Sequence, residues 1–304
     1  MASPPSASDV KWFRLALIGA GVMGANYIRA VQSLPDVRIV AVVDPVVERA
    51  NRIAAVIGAR AAASLDYAGE VDGAIVAVPS ADHRAVAEPL LARGIPCLIE
   101  KPFALNETDC RALIAAAAGA NACLQIGHVE RFNAAVQALL AQNLKVSDVR
   151  ALAARRLNAG SARVLDIDVV MDLMVHDIDV VLALKRTPVT GVHATGTKDH
   201  AVATLAFDDG TAAQITSSRV TEGRTRDLTV EMTDGAVYAL DYVERSLTRD
   251  GAGIPVAGDA NSLGRQMADF AHAVRTGRAP QVGAEDALRV MKIAWRVQKE
   301  LGIR

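Results

Sequence analysis

Cysteine is scarce in this sequence: Cys97, Cys110 and Cys123 are an odd number, and no two of them have CxxC spacing. This scarcity argues against a disulfide framework or a zinc site and predicts buried thiols in a reducing compartment. Aromatic residues make up only 4% of the chain, although hydrophobic residues make up 51%. Ala, Val, Leu and Ile must therefore provide most of the packing in the cores.

An excess of charge of either sign is also missing. The 33 basic and 34 acidic residues give a formal net charge of -1, which argues against nucleic acid as the main partner. No apolar run is long and uncharged enough to span a bilayer. The first residues, MASPPSASD, lack the basic and apolar regions of a secretory signal. We therefore expect a soluble, cytoplasmic protein with a disordered tail over residues 1–10.

The 304 residues are enough for two domains, and the pattern changes near residue 126. Before that point, the short apolar runs RLALIGA, VRIVAVVD, VDGAIVAVP, IPCLIEKP and ACLQIG alternate with stretches of helical length and periodicity. Strands that are apolar on both faces and separated by helices predict a parallel sheet covered on both sides. Residues 11–126 are thus predicted to form a doubly wound α/β Rossmann domain.

Residues 127–304 are predicted to form an α+β domain built on an open antiparallel sheet. The runs VATLAF and AAQITSS are joined through Asp-Gly, as are LTVEM and AVYAL, and this dipeptide between alternating runs is a strong hairpin signal. Helices cover one face only, so the other face predicts a partner surface and a homodimer or homotetramer. Two helices close the chain, and the last could pack back on the Rossmann domain.

A glycine motif, GAGVMG, follows the first strand and opens the first helix, and it comprises Gly19, Gly21, Val22, Met23 and Gly24. The glycines permit a tight turn, close approach of a pyrophosphate and close helix packing. Asp44 ends the second strand, where its carboxylate can accept hydrogen bonds from the adenine ribose hydroxyls and repel a 2′-phosphate. No arginine follows it directly, so NAD is favoured over NADP. A structural turn followed by a surface acid is the alternative.

Two further motifs carry candidate catalytic groups. IEKPF places Lys101 at the carboxyl end of a predicted parallel strand, where such sheets bind ligands. In MDLMVHDIDVV, Asp172 and His176 are i and i+4 and share a face of a helix. A histidine can accept the proton of an alcohol near neutral pH, and Lys101 can assist. The spacing alone is equally typical of a helix-surface Asp–His pair.

These motifs, with VPSADH, GHVERFN and the DxxxHxxD spacing, resemble the glucose–fructose oxidoreductase, inositol dehydrogenase and MocA family over nearly the whole chain. The resemblance implies an NAD-dependent dehydrogenase acting on a CH–OH group, with Lys101, Asp172 and His176 as the catalytic group. It also implies that Pro79, Ser80, His83 and Glu100 line the cofactor cleft. His83 could instead be a helix-start residue, and Arg131 could reach the substrate or form a surface salt bridge. Met174 replaces the glycine of many members and would narrow the substrate pocket.

Within the family, GHVERFN and DLMVHDID are most similar to UDP-N-acetylglucosamine 3-dehydrogenases, which oxidise the sugar C3 hydroxyl. A nucleotide-sugar needs cations for its diphosphate, and Arg155, Arg156 and Arg163 are candidates, although they could be solvated strand-edge charges. Two alternatives stay open: an inositol or simple-sugar dehydrogenase or reductase, and a non-enzymatic dinucleotide-binding regulator.

Overall fold

The structure, a computed structural model, describes residues 12–64, 66, 70–158 and 167–304. The chain divides into two compact units. The first contains the chain up to Gly127 together with Leu263–Glu285, and the second contains His128–Ser262 and Asp286–Arg304. The predicted boundary after residue 126 lies beside the first of these divisions. The return of residues 263–285 to the first unit was not predicted.

The first unit contains a six-stranded sheet and the helices that flank it. Its strands are β1 (Phe13–Ile18), β2 (Val37–Val43), β3 (Arg60–Ala62), β4 (Gly73–Val76), β5 (Cys97–Glu100) and β6 (Leu124–Gly127). Its first helices are α1 (Val22–Val31), α2 (Val47–Ala54), α3 (His83–Ala92) and α4 (Glu107–Gly119). All strand pairs are parallel, and the strand order is β3-β2-β1-β4-β5-β6. This is the order of doubly wound dinucleotide-binding domains, so the Rossmann prediction is confirmed.

The strands of this sheet form because their side chains are apolar on both faces. Leu15, Leu17, Ile75 and Leu98 are fully buried, as expected where helices cover both sides of a parallel sheet. The short edge strand β3 was not predicted, because three residues give no periodicity to detect. Asn106 begins α4 by accepting a hydrogen bond from the Asp109 N–H at 2.8 Å.

The second unit is built on an eight-stranded sheet. Its strands are β7 (Val149–Asn158), β8 (Val189–Gly196), β9 (His200–Phe207), β10 (Ala212–Ser218), β11 (Arg224–Met232), β12 (Val237–Asp241), β13 (Ser246–Arg249) and β14 (Ala252–Ile254). Two helices precede most of them: α5 (Ala134–Leu140), and α6 (Val175–Lys185), which continues a π-helical turn at Val170–Met174. The strand order is β14-β13-β12-β11-β7-β10-β9-β8.

Both predicted Asp-Gly hairpins are present, since β9 pairs antiparallel with β10 and β11 with β12. Gly210 and Gly235 have φ values of +80° and +88°, which glycine tolerates without strain. The sheet is mixed rather than purely antiparallel, because β7 and β10 are parallel. The prediction missed this pair because a long connection separates the two strands.

Helices cover one face of this sheet, since α6 packs against β7 and β10, and α5 against β12 and β13. Leu152, Ala154 and Arg156 of β7 point to this face and are buried, whereas Ala153 and Arg155 point to the other and are exposed. The side chains on the opposite face are mostly small or polar. They include Ala153, Arg155, Thr204, Gln214, Thr216 and Thr229. We call it the open face.

The two C-terminal helices belong to different units. Helix α7 (Ser262–Thr276) adds Met267, Phe270 and Ala271 to the core of the first unit, while α8 (Ala284–Glu300) belongs to the second unit from Asp286 onward. The helix that returns to the first unit is thus the penultimate one. Phe270 packs edge-on against Phe13, with ring centroids 6.1 Å apart. In the part of the chain that the structure describes, no helix is long and apolar enough to cross a membrane.

We predict that the chain forms a homodimer or homotetramer through the open face of the second unit's sheet. A glutamate at Ala153, in the central strand, would place charge at the middle of that interface and shift the mass toward the monomer. Light scattering at micromolar concentration measures this, with Gln142→Glu in an exposed turn as the control. A monomeric wild-type protein, or an unchanged mass for Ala153→Glu, would contradict the prediction.

Candidate functional site

The turn between β1 and α1 contains the GAGVMG motif, and its glycines are needed for three different reasons. Gly19 has a φ of +104°, and a Cβ there would overlap the Ala77 carbonyl oxygen. A Cβ at Gly24 would overlap the Gly19 carbonyl oxygen, so this glycine allows the helix to begin close to the turn. A Cβ at Gly21 would meet no atom of the described residues within 4 Å. The space beside Gly21 is thus open to a ligand.

Asp44 lies at the end of β2 and is 6% exposed. Its Oδ2 accepts a hydrogen bond from the Ala20 N–H at 2.9 Å, and its Oδ1 accepts one from the Val46 N–H at 2.8 Å. Asp44 therefore holds the glycine turn to the end of β2, a role that the sequence did not reveal. A carboxylate has about four lone-pair sites, so the same oxygens can also accept ribose hydroxyls.

The residues of this turn fit a dinucleotide. Helix α1 begins at Val22 with Gly21 as its N-cap, and within the described residues no side chain caps it and no acid lies in its first turn. Its first N–H groups and the helix dipole are therefore available to a pyrophosphate. Val22 is 57% exposed and Met23 is partly buried beside these N–H groups. An acid that accepts hydrogen bonds from the ribose and open N–H groups that donate to the phosphates are the groups that NAD binding requires.

The connection from β4 to α3 contains Pro79 and Ser80, and His83 is the first residue of α3. Pro79 is exposed and Ser80 partly buried, at the carboxyl end of the sheet. His83 is 1% exposed, and its ring nitrogens lie 3.2 Å from the Phe103 carbonyl oxygen and 3.1 Å from that of Val78. Burial lowers the pKa of His83. Its ring thus joins the loops after β4 and β5, in addition to standing at the start of α3.

Glu100 and Lys101 end β5. Glu100 is 5% exposed, and its Oε1 accepts a hydrogen bond from the Tyr27 hydroxyl at 2.6 Å. Its Oε2 accepts one from the Lys101 N–H at 3.1 Å. Burial raises the pKa of Glu100, while Tyr27 and Lys101 oppose the shift. Glu100 therefore fixes the backbone from which the partly buried Lys101 side chain starts.

A second layer of residues supports Glu100, and no pattern in the sequence predicts it. The Gln266 side chain of α7 donates to the Tyr27 hydroxyl at 2.8 Å, which completes a buried chain from Gln266 through Tyr27 to Glu100. Gly127 is needed beside it, because a Cβ there would lie 3.2 Å from the Glu100 carboxyl carbon. Since Gln266 is far from Tyr27 in sequence, periodicity could not have linked them.

In the second unit, Asp172 and His176 lie where the π-helical turn joins α6. Such turns are frequent at functional sites. Asp168 caps this segment, because its Oδ1 accepts hydrogen bonds from the Val170 and Met171 N–H groups. Arg219 lies 3.7 Å from the Asp172 carboxylate and is a neighbour that sequence reasoning missed. Asp172 lies in the π-helical turn and His176 in the first turn of α6, and both are partly buried.

Asp179, the last residue of DxxxHxxD, is 1% exposed and pairs with Arg131 at 3.2 Å. Burial raises the pKa of the Asp179 carboxyl to about 7, although Arg131 opposes the shift. Arg131 is itself only 13% exposed, so its salt bridge is a buried one and not the surface pair that sequence left open. The pair ties the GHVERFN segment to α6.

Arg155 and Arg156 are neighbours on β7 with opposite surroundings. The Arg155 side chain is 58% exposed on the open face and pairs with Asp227 at 2.5 Å. Arg156 is 1% exposed, and its guanidinium donates twice to Asp177, at 2.8 and 3.0 Å, and once to Glu130 at 2.8 Å. Burial opposes the charge, but the two carboxylates outweigh it and raise the pKa of Arg156 well above its ordinary value.

These placements revise the expectation that a diphosphate binds Arg155, Arg156 and Arg163. Arg156 is closed off by its carboxylate partners, and Arg155 is on the face away from α6. Neither is a strand-edge charge, since β7 is central in the sheet. Arg163 lies outside the described residues. Across the described ranges, His, Cys, Asp and Glu form no group of three or more that could hold a metal ion.

Both units are similar to known proteins. Residues 13–128 match the oxidoreductase family with an NAD-binding Rossmann fold, and residues 145–238 match the GFO/IDH/MocA C-terminal domain. The chain is 32% identical to the UDP-N-acetylglucosamine 3-dehydrogenase of Acidithiobacillus ferrooxidans, over 94% of this chain and 96% of that protein. A solved structure of the enzyme from that organism has a TM-score of 0.89 at 31% identity, and covers 95% of this chain and 97% of that one.

Similarity to inositol dehydrogenases is less extensive among curated relatives. Inositol 2-dehydrogenase 1 of Saccharopolyspora erythraea is 34% identical, but over 40% of this chain and 38% of that protein.

The contrast between the two arginine pairs on β7 leads to a stability prediction. Asp177→Ala would leave Arg156 buried beside Glu130 alone, and breaking a buried pair costs about 3–5 kcal/mol. Asp227→Ala, the matched control, removes a partner of the exposed Arg155 and should cost less than about 1 kcal/mol. Urea denaturation followed by circular dichroism gives both values. Equal losses for the two variants would show that the Arg156 pair is not a buried one in solution.

Proposed function

The chain belongs to the GFO/IDH/MocA family of NAD-binding oxidoreductases, and from this we propose that it oxidises a sugar hydroxyl with NAD, specifically the C3 hydroxyl of UDP-N-acetylglucosamine. One observation supports this choice of substrate over the alternatives. The similarity to the UDP-N-acetylglucosamine 3-dehydrogenase runs through 94% of the chain and so includes the second unit. The similarity to inositol 2-dehydrogenases covers a smaller share of the chain, 40% for that of Saccharopolyspora erythraea and 59% for that of Renibacterium salmoninarum.

In the proposed mechanism, Lys101, Asp172 and His176 are the catalytic residues. The Lys101 ammonium donates a hydrogen bond to the reacting hydroxyl oxygen, and His176 accepts the hydroxyl proton as general base. Asp172, one turn before His176, orients its ring or the substrate. NAD, when bound, supplies the hydride acceptor. Glu100 contributes by fixing the Lys101 backbone, and Asp44 with the amides of the glycine turn hold the cofactor.

The choice of substrate is tested by measuring NADH formation with a panel of UDP-N-acetylglucosamine, myo-inositol and free hexoses. The proposed function requires turnover with the nucleotide-sugar and a product that carries a ketone at C3, identified by mass spectrometry after oxime formation. Faster turnover of inositol or a free hexose would replace this proposal with the family's other substrates. Absence of turnover with the whole panel in both directions would favour a regulatory protein.

The catalytic assignment predicts losses of rate without loss of cofactor binding. His176→Ala should lower kcat by about 10²–10⁴-fold, the usual contribution of a general base, and leave the Kd for NAD nearly unchanged. Lys101→Ala should also lower kcat, and the double variant should lose less than the product of the single losses, because the two residues act as a unit. Thermal unfolding of each variant is the control. A lowered melting temperature with wild-type kcat would assign His176 to packing.

The cofactor assignment predicts tighter binding of NAD than of NADP. Asp44→Ala should narrow the ratio of the two Kd values by about tenfold, or about 1.4 kcal/mol, because the carboxylate no longer repels a 2′-phosphate. Titration calorimetry with both dinucleotides measures the ratio. The same variant should lose some thermal stability, since the Ala20 and Val46 N–H groups lose their acceptor. Equal wild-type affinities for the two cofactors would overturn the role of Asp44.

A further inference from the structure

Two further arginines, Arg224 and Arg226, lie at the start of β11 in the second unit's sheet. Strand β11 begins with the sequence RTRDL, and its register places Arg224 opposite Asn158 and Arg226 opposite Arg156. Residues opposite each other, and residues two apart on a strand, point to the same face of a sheet. Because Arg156 points to the face covered by α6, Arg224 and Arg226 start from that face as well.

The carboxylates of this region are already engaged by Arg156. Asp177 accepts two of its N–H groups and Glu130 accepts a third, so the cluster holds three guanidinium groups and two carboxylates. Burial lowers the pKa of Arg226, and repulsion from Arg156 and Arg224 adds to this, more than the carboxylates offset. The cluster therefore carries positive charge that the described residues do not balance.

Arg226 also has donor capacity that the fold leaves unused. Its Nη2 donates to the Asn158 side chain at 3.3 Å, a long hydrogen bond. Its Nε is buried, and among the described residues no atom accepts its hydrogen bond. A buried donor without an acceptor is destabilising, and more so when it is charged, so an anion that supplies an acceptor to this guanidinium gains from it. Arg224 is exposed beside it.

We propose that Arg226, assisted by Arg224, binds the diphosphate of the nucleotide-sugar substrate. This inference rests on the proposed function and names the residues that recognise the nucleotide part of the substrate. A guanidinium binds phosphate oxygens through two parallel N–H groups, and partial burial strengthens these bonds. The two arginines begin about 7 Å apart along the strand, a separation that flexible side chains close around two adjacent phosphates. They replace Arg155 and Arg156, whose carboxylate partners occupy them.

The experiment is calorimetric titration of the NAD-saturated protein with UDP, and with uridine to remove the diphosphate. Wild type binds UDP and binds uridine at least about tenfold more weakly. Arg226→Gln raises the Kd for UDP by at least about tenfold. Arg226→Lys keeps the charge but not the two parallel N–H groups of the guanidinium, and it gives an intermediate Kd. Arg150→Gln is the matched control, because Arg150 is an exposed arginine of β7 paired across to Glu231 of β11. It stays within about twofold of wild type.

Binding of the UDP diphosphate is distinguished from binding of the NAD diphosphate by titrating NAD into the same variants without UDP. An unchanged Kd for NAD in Arg226→Gln places the effect on the nucleotide-sugar. If Arg226→Gln loses as much affinity for NAD as for UDP and also unfolds at a lower temperature, Arg226 has a structural role and the inference is overturned. Equal binding of UDP by Arg226→Gln and wild type, or of UDP and uridine by wild type, would overturn it too.

Failure of this inference is distinct from failure of the proposed function. If UDP affinity depends on Arg226 but UDP-N-acetylglucosamine yields no NADH, the anion site stands and the sugar reaction is wrong. If Arg226→Gln oxidises UDP-N-acetylglucosamine with wild-type kcat and KM, the reaction stands and the anion site is wrong.

Discussion

The arrangement of the second unit depends on the buried Arg156 guanidinium. The Arg156 guanidinium joins β7 to α6 through Asp177 and to the GHVERFN segment through Glu130. Its Cζ atom lies 4.9 Å from the centre of the Tyr242 ring. An arginine 1% exposed would be prohibitively costly without these partners, so all of these segments must adopt their positions together. These contacts therefore restrict α6 to one position on the sheet. The rotation of that helix, and with it the direction of Asp172 and His176, is thereby fixed.

Buried carboxylates have the corresponding role in the first unit. Asp44 holds the glycine turn through two backbone N–H groups, and Glu100 holds Lys101 through one. Both acids had been assigned to ligands from the sequence, and both also organise protein backbone. A group that is held in place before a ligand arrives loses little entropy when the ligand binds. The acid that we propose as the selector of the cofactor is thus also the one that shapes the turn beside it.

The sequence was sufficient where the signal is local. The Rossmann strands are continuous apolar runs, and the Asp-Gly hairpins have their glycines at positive φ, so pattern and turn chemistry both led to the correct elements. It was insufficient where two distant segments decide the outcome. The parallel pairing of β7 with β10 and the bond from Gln266 to Tyr27 have no local signature. Arg155 and Arg156 are adjacent in sequence, and only the pleat of a central strand distinguishes a solvated arginine from a buried one.

The return of α7 to the first unit has a consequence for the order of folding during synthesis. Phe13 lies in β1, and the ring against which it packs, Phe270, is made after the whole sheet of the second unit. Gly73 is small because a Cβ there would press on that same ring, at 3.0 Å. A nascent chain that has emerged only through β6 therefore has an incomplete core and an exposed apolar cleft where α7 will lie. The N-terminal unit cannot reach its final state on the ribosome ahead of the other, although domains commonly fold in that sequence. Any chaperone requirement should thus last until α7 has been translated.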